Sequence, residues 1–181
     1  NPMASRKLED LIPDAREKAE KALEVCQEVG IDLLIYCTLR TLEEQARLFR
    51  QSRSWAEIKD NILKLRSRGL GFLADIIEEV GPCYGDHVTN AGPGESYHNY
   101  GQAWDAVPLI GGKPGWNYLR AKPYWDGYGE CVRQLGMIWA GDWMNFREYP
   151  HAQLRAGGNP LKQNDPDRIH EMLTEHNLLQ T

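Results

Sequence analysis

At 181 residues, with 41% hydrophobic and 26% charged, the chain is long enough to bury a sizeable core and too apolar for disorder. A formal net charge of −5 argues against a nucleic-acid partner, which would call for a basic face. No run approaches the ~18–20 apolar residues of a membrane span, and no basic-then-apolar leader is visible. Asn1-Pro2 reads as a cloning remnant, so the expectation is a single domain over residues 3–181, a monomer made in the cytoplasm. Cys26, Cys37, Cys83 and Cys131 include no Cys-x-x-Cys pair and read as reduced, mostly buried thiols.

Asp14 to Val29 predicts an amphipathic helix, with Ala15, Ala19, Ala22, Cys26 and Val29 on one stripe and Gly30 at its end. Ile31 to Leu39 is rich in branched and aromatic residues and reads as a buried strand. Thr41-x-x-Glu44 is a capping box opening a helix to about Gln51, which leaves Arg40 at a strand-to-helix junction. Spacing alone favours a surface arginine paired with a carboxylate. Ser54-x-x-Glu57 opens a second capped helix ending near Gly69, and Phe72 to Val80 forms another. Residues 52–82 read as a helical insertion of unreadable function.

Val88-Thr89 begins a short predicted strand, followed by a Gly- and Pro-rich loop that delivers Ser96 and His98. A strand over 102–109, a turn over Gly111–Gly115 and a helix from Tyr124 to Leu135 follow. Strands at Met137–Ala140 and Tyr149–Leu154 bracket a loop holding Asp142. The terminal region 160–181 carries a helix from Asp165-Pro166 to about Leu178. His87, His170 and His176 read as ordinary packed or surface residues.

Two windows concentrate the chemistry. Ser96-Tyr97-His98-Asn99-Tyr100-Gly101-Gln102-Ala103-Trp104-Asp105 and Glu148-Tyr149-Pro150-His151 supply two imidazoles and two carboxylates. A mononuclear catalytic zinc takes three His or carboxylate ligands, an open position and a nearby carboxylate for the proton. His98, Asp105 and His151 are assigned as ligands and Glu148 as the proton handler. His98 and Asp105 would point to opposite faces of a straight strand, so the chain must bend between them, and Gly101 suits that bend. Pro150 sets Glu148 and His151 at a strand entry. Cysteine ligation is not expected, because no cysteine falls in either window.

Ser-x-His-x-x-Gly-x-Ala-x-Asp followed by Glu-x-Pro-His resembles the LAS zinc metallopeptidases, the D-alanyl-D-alanine carboxypeptidases and the L-alanyl-D-glutamate endopeptidases of phage endolysins. Thr38 to Gln45 is similar to that family's arginine-bearing turn and helix, and Trp139-Ala140-Gly141-Asp142-Trp143 to its Gly-Asp-Trp segment, with Ala140 where glycine is frequent. The resemblance implies an α+β fold of the hedgehog/D,D-peptidase type: a small, mostly antiparallel sheet carrying the metal, with helices on one face and end. It implies one Zn2+ per chain and a peptidoglycan stem peptide cut beside a D-amino acid, at the cell wall if the chain is an endolysin. It implies that Arg40 faces the substrate, that Gln45 and Trp143 line it, that Ser96 hydrogen-bonds substrate or ligand, and that Asp142 accepts from a ligand imidazole. Endopeptidase action is expected first. The alternatives are a D-alanyl-D-alanine carboxypeptidase or dipeptidase, and a non-catalytic zinc-bearing binding domain.

Overall fold

Residues 4–175 are described by a computed structural model. In chain order the elements are α1 (Pro13–Glu28), β1 (Asp32–Cys37), α2 (Leu42–Arg50), α3 (Trp55–Ser67), α4 (Gly71–Glu79), β2 (Ala103–Ile110), β3 (Lys113–Pro114), α5 (Lys122–Gln134), β4 (Ile138–Trp139), β5 (His151–Gln153), α6 (Pro160–Gln163) and α7 (Pro166–Glu175). Contacts divide the chain into two compact units: residues 5–39 with 101–156, and residues 40–100 with Ala4 and the chain from Gly157 onward.

The first unit is a sheet with helices. Its strands pair antiparallel in the order β1-β2-β5-β4, and β3 hairpins onto β2 through Gly111-Gly112. The α+β reading with an antiparallel sheet holds, although β3 takes Lys113-Pro114 from a stretch expected to be turn. Ala15, Ala19, Ala22 and Cys26 form a buried stripe on α1, and with Trp125, Tyr128 and Val132 of α5 they pack on Ile35, Trp104, Ala106 and Ala152 of the sheet. Side chains alternate along a strand. With Trp104, Ala106 and Ala152 turned into this core, Asp105, His151 and Gln153 turn to the sheet's other face.

The second unit is helical, with its own core of Leu42, Phe49, Ile58, Leu73, Ile77, Tyr100, Leu161, Ile169 and Leu173 among others. The Ser54 capping box closes in both directions: Ser54 N donates to Glu57 Oε2 at 2.7 Å and Glu57 N to Ser54 Oγ at 3.3 Å. The Thr41 box closes in one. Glu44 N donates to Thr41 Oγ1 at 3.1 Å, but the Glu44 carboxylate is taken up by Ala4 N at 3.0 Å.

Two further expectations change. Val88-Thr89 is not a strand: the Thr89 carbonyl accepts from Arg53 Nη2 at 2.8 Å and its hydroxyl from Ala91 N at 3.1 Å, so the segment is held by side chains. The short helix α6, capped by Asn159 Oδ1 accepting from Leu161 N, lies where no element was expected. Cys26, Cys37 and Cys131 are buried and outside any disulfide, in keeping with the expectation, and Cys83 is partly exposed. Asn1-Pro2, His176 and the end of the terminal helix near Leu178 lie outside the described residues.

Candidate metal and peptidase site

In the sheet unit, register places the predicted acidic and imidazole ligands side by side. Asp105 on β2 pairs with His151 on β5, and Cys37 on β1 pairs with Asp105 from the opposite edge. Directly opposed residues share a face, so the three side chains form one row across three strands. His151 Nδ1 lies 3.1 Å from Asp105 Oδ1, with both side chains largely buried. Cys37 falls in neither of the two sequence windows. It reaches this row through an irregularity in register between Ile35 and Cys37.

The tautomer of His151 follows from its other nitrogen. Gln153 Nε2 donates to the Arg155 carbonyl at 2.6 Å, which turns Gln153 Oε1 towards His151 Nε2 at 2.9 Å. That nitrogen must therefore carry the proton. In the neutral ring the Nδ1 lone pair then faces a carboxylate oxygen, an arrangement that repels unless a proton or a cation lies between them. Two hard-to-intermediate donors converging from a buried face, with the far nitrogen of the ring hydrogen-bonded to an amide oxygen, fit a zinc ligand pair. Asp142 does not serve that nitrogen. Its carboxylate accepts from Arg133 Nε at 2.8 Å and Nη2 at 3.1 Å, and this guanidinium holds the Asp142 carboxyl below its ordinary pKa.

The Glu148–His151 segment is fixed carbonyl by carbonyl. His151 N donates to Glu148 O at 3.1 Å, Glu148 N to Ala140 O at 3.3 Å, and Ala106 N to Pro150 O at 3.0 Å. Trp139 Nε1 donates to Tyr149 O at 2.7 Å and Tyr128 Oη to Pro150 O at 2.9 Å. Tyr128 Oη also accepts from Trp104 Nε1 at 3.1 Å, so Trp104 is a core residue and not a site wall. The Tyr118 and Tyr149 rings stack at 3.8 Å. Glu148 therefore sits at a strand entry, in the turn before β5, with its backbone immobilised.

The Gly-Asp-Trp segment has a packing explanation. The Trp139 ring lies over Gly141, where a Cβ would stand 2.3 Å from the indole. Ala140, fully buried in the same turn, is accommodated. Trp143 then places its ring 5.7 Å from that of His151. Gly101 adopts φ 62°, and a Cβ there would meet Asp10 O at 3.1 Å and Ile12 N at 3.2 Å, so the bend expected after His98 is built on this residue.

In the helical unit, His98 is 2% exposed on a 3-10 turn over Tyr97–Tyr100. Ser96 starts that turn: its carbonyl accepts from Asn99 N at 2.9 Å and its hydroxyl from His98 N at 3.3 Å. The turn is zipped to the arginine loop, since Arg40 N donates to His98 O at 3.1 Å and Asn99 Nδ2 to Arg40 O at 3.0 Å. Gln45 is fully buried, which removes it from direct substrate contact. Its Oε1 accepts from Arg40 Nη1 at 3.0 Å and its Nε2 donates to Ala91 O at 2.7 Å, so it aims the guanidinium. Gln153 and Cys37 are the residues that sequence reasoning missed. Strand alternation could have indicated Gln153, two residues beyond His151.

The VanY family profile, described as D-alanyl-D-alanine carboxypeptidase, matches residues 8–110, more than half of the chain. The chain belongs to this family. A second profile of the same description matches residues 89–154. The peptidoglycan L-alanyl-D-glutamate endopeptidase CwlK of Bacillus subtilis (strain 168) is 30% identical over 151 residues, 80% of this chain and 74% of the relative. The L-alanyl-D-glutamate peptidase of Listeria phage A118 is 26% identical over 148 residues, 82% of this chain but 39% of the phage protein. Among solved structures, the Serratia marcescens L-Ala D-Glu endopeptidase ChiX aligns with TM-score 0.45 at 18% identity, covering 84% of this chain and 89% of that one. A vancomycin-resistance D,D-pentapeptidase VanY in complex with Zn(II) aligns with TM-score 0.46 at 15% identity, covering 92% and 83%.

Proposed function

We propose that this chain is a zinc peptidase that hydrolyses peptidoglycan stem peptides beside a D-amino acid, acting at the cell wall as a monomeric L-alanyl-D-glutamate endopeptidase. The observation that carries the reading is the His151 ring, held at Nε2 by Gln153 at 2.9 Å with its Nδ1 3.1 Å from Asp105 Oδ1 on the neighbouring strand. The two curated relatives named above are both L-alanyl-D-glutamate peptidases, which favours that bond. His98, Asp105 and His151 would hold the metal.

When bound, zinc supplies Lewis acidity to a water and to the scissile carbonyl. Glu148 takes the proton of the attacking water and passes it to the leaving amine, a role suited to a carboxylate off the metal. The immobilised backbone on both sides of Glu148 keeps that carboxylate from straying. Arg40, aimed by Gln45, binds a substrate carboxylate or the developing oxyanion, where a preorganised cation acts most strongly. Trp143 supplies an apolar wall beside His151, and Ser96 shapes the turn that presents His98.

The second reading is D-alanyl-D-alanine carboxypeptidase, favoured by the description that both family profiles carry. Mass spectrometry of muropeptides digested with zinc and with a chelator tests both. Release of fragments ending in L-alanine, abolished by the chelator, is the expected result. Loss of terminal D-alanine alone would replace the endopeptidase reading with the carboxypeptidase one. A digest unchanged by the chelator would end the zinc peptidase reading.

A further inference from the structure

The end of α2 and the helix α3 that follows carry a charge opposite to that of the whole chain. Residues 47–68 hold seven lysines and arginines against Glu57 and Asp60, in a protein of net charge −5. Most of these cations are solvated or paired along their helices. Arg50 and Arg53 are not: both line a cavity of about 380 Å3 together with Trp55, Pro82 and Tyr84.

The two guanidiniums are partnered by backbone carbonyls and by no carboxylate. Arg50 is buried and its Nη1 donates to Ile77 O at 2.9 Å. Arg53 donates to Phe49 O and, through Nη2, to Thr89 O at 2.8 Å. Among the described residues neither forms an ion pair. Carbonyl oxygens satisfy N–H groups without neutralising charge, and no carboxylate is in ion-pair contact with either guanidinium, so the pair can still attract an anion. Burial pulls the Arg53 pKa down, outweighing the opposite pull of the nearby Glu57 and Glu95 carboxylates.

Aromatic faces stand at the same cavity. Tyr84 is 93% exposed and Trp55 58% exposed, with the Arg50 guanidinium 5.7 Å from the Trp55 ring centroid. The wall that holds Tyr84 is pinned to the end of α2. Asn90 Oδ1 accepts from His87 Nε2 at 2.8 Å, which leaves His87 Nδ1 to accept from Ser52 Oγ at 3.2 Å. Ser52 sits at φ 61°, a backbone conformation uncommon for a residue other than glycine. Large exposed aromatics beside fixed arginines, in a cavity outside either sequence window, are placed as in a binding site.

We propose that this cavity is a second binding site of the chain, taking an anionic saccharide: sugar rings against Trp55 and Tyr84, and a carboxylate or phosphate on Arg50 and Arg53. The identity of the saccharide as wall glycan rests on the function proposed above. The site would hold the polymer while the peptide is cut elsewhere, which gives affinity to a protein whose overall charge opposes it.

The test is co-sedimentation of the zinc-loaded Glu148→Gln chain with purified sacculi that retain their phosphate polymer and with sacculi stripped of it by acid. Trp55→Ala and Tyr84→Ala are compared in that background, because both side chains are exposed enough to leave folding intact. Each should weaken binding roughly tenfold, the scale of losing one aromatic anchor, and rising salt should weaken binding further. In the otherwise native chain the same variants should hydrolyse a soluble stem peptide at the unaltered rate. Binding that survives stripping assigns the anion to a glycan carboxylate, and binding that is lost assigns it to phosphate; both support the site. Undiminished binding by the two variants, or equal binding to polyglutamate, would overturn it. A wild-type chain that binds sacculi through these residues and cleaves no stem peptide would overturn the peptidase reading and leave the site standing.

Discussion

Gln153 occupies the outer nitrogen of His151 at 2.9 Å, and so decides which face of that imidazole can meet Asp105. The amide is itself locked by the Arg155 carbonyl, which makes the chain of orientation three residues deep. Gln153→Leu keeps the volume and removes the acceptor. Zinc affinity should fall about 10–100-fold, the range for loss of an outer partner of a ligating histidine. Competition against a chromophoric chelator measures it. Unchanged affinity would mean that the ring needs no such hold.

Glu148→Gln separates metal binding from proton transfer. The amide is nearly isosteric, and the backbone bonds to Ala140 and His151 do not involve the side chain. Turnover of muropeptide should drop about 10²–10⁴-fold, the contribution of a positioned acid–base group, with zinc content unchanged by elemental analysis. Wild-type turnover in the zinc-loaded variant would remove Glu148 from the chemistry and favour a zinc-bearing binding domain.

The elements legible in the sequence were those that local pattern determines. On α1, Ala15, Ala19, Ala22 and Cys26 recur at helical spacing and all end fully buried, whereas Val29, placed on the same stripe, follows the helix end and is exposed. The Ser54 box was read because both its partners lie within three residues. What failed depends on distant partners. Val88-Thr89 has strand-like residues, but the Thr89 carbonyl is taken by the Arg53 side chain and its hydroxyl by Ala91 N. The roles of Gln45 and Gln153 become visible only once Ala91 and Arg155 are in place around them. Cys37 joins the row of Asp105 and His151 because of an irregularity in strand pairing, which no local periodicity reports.

Tyr128 links the core to the Glu-Tyr-Pro-His segment by a single hydroxyl, accepting from Trp104 and donating to Pro150. Its full burial also drives its pKa well above the ordinary tyrosine value, so it stays a neutral donor at any working pH. Tyr128→Phe leaves the buried Trp104 N–H without its acceptor. The expected cost is about 1–3 kcal/mol in denaturant unfolding, from one stranded polar group. Catalytic rate should fall as well, because the carbonyl between Glu148 and His151 loses one of its two donors. A variant as stable as wild type would show that Trp104 finds another partner.

The fork between Arg133 and Asp142 makes a prediction about acid. Arg133 lowers the Asp142 carboxyl pKa, chiefly through the side-chain hydrogen bonds. A carboxyl whose folded pKa is depressed contributes stability that is fully present above its unfolded value, about 3.9. That contribution is lost as pH falls through the lower, folded value. The pair is exposed, at 41% for Arg133 and 48% for Asp142, so its contribution should be under ~1 kcal/mol and should shrink with salt. Asp142→Asn should therefore melt slightly below wild type from neutral pH down to about pH 5, and the gap should close as the wild-type carboxyl takes up its proton at lower pH. Thermal unfolding of both proteins across that range measures the gap. A gap that widens in acid would show that the Asp142 carboxylate destabilises the fold.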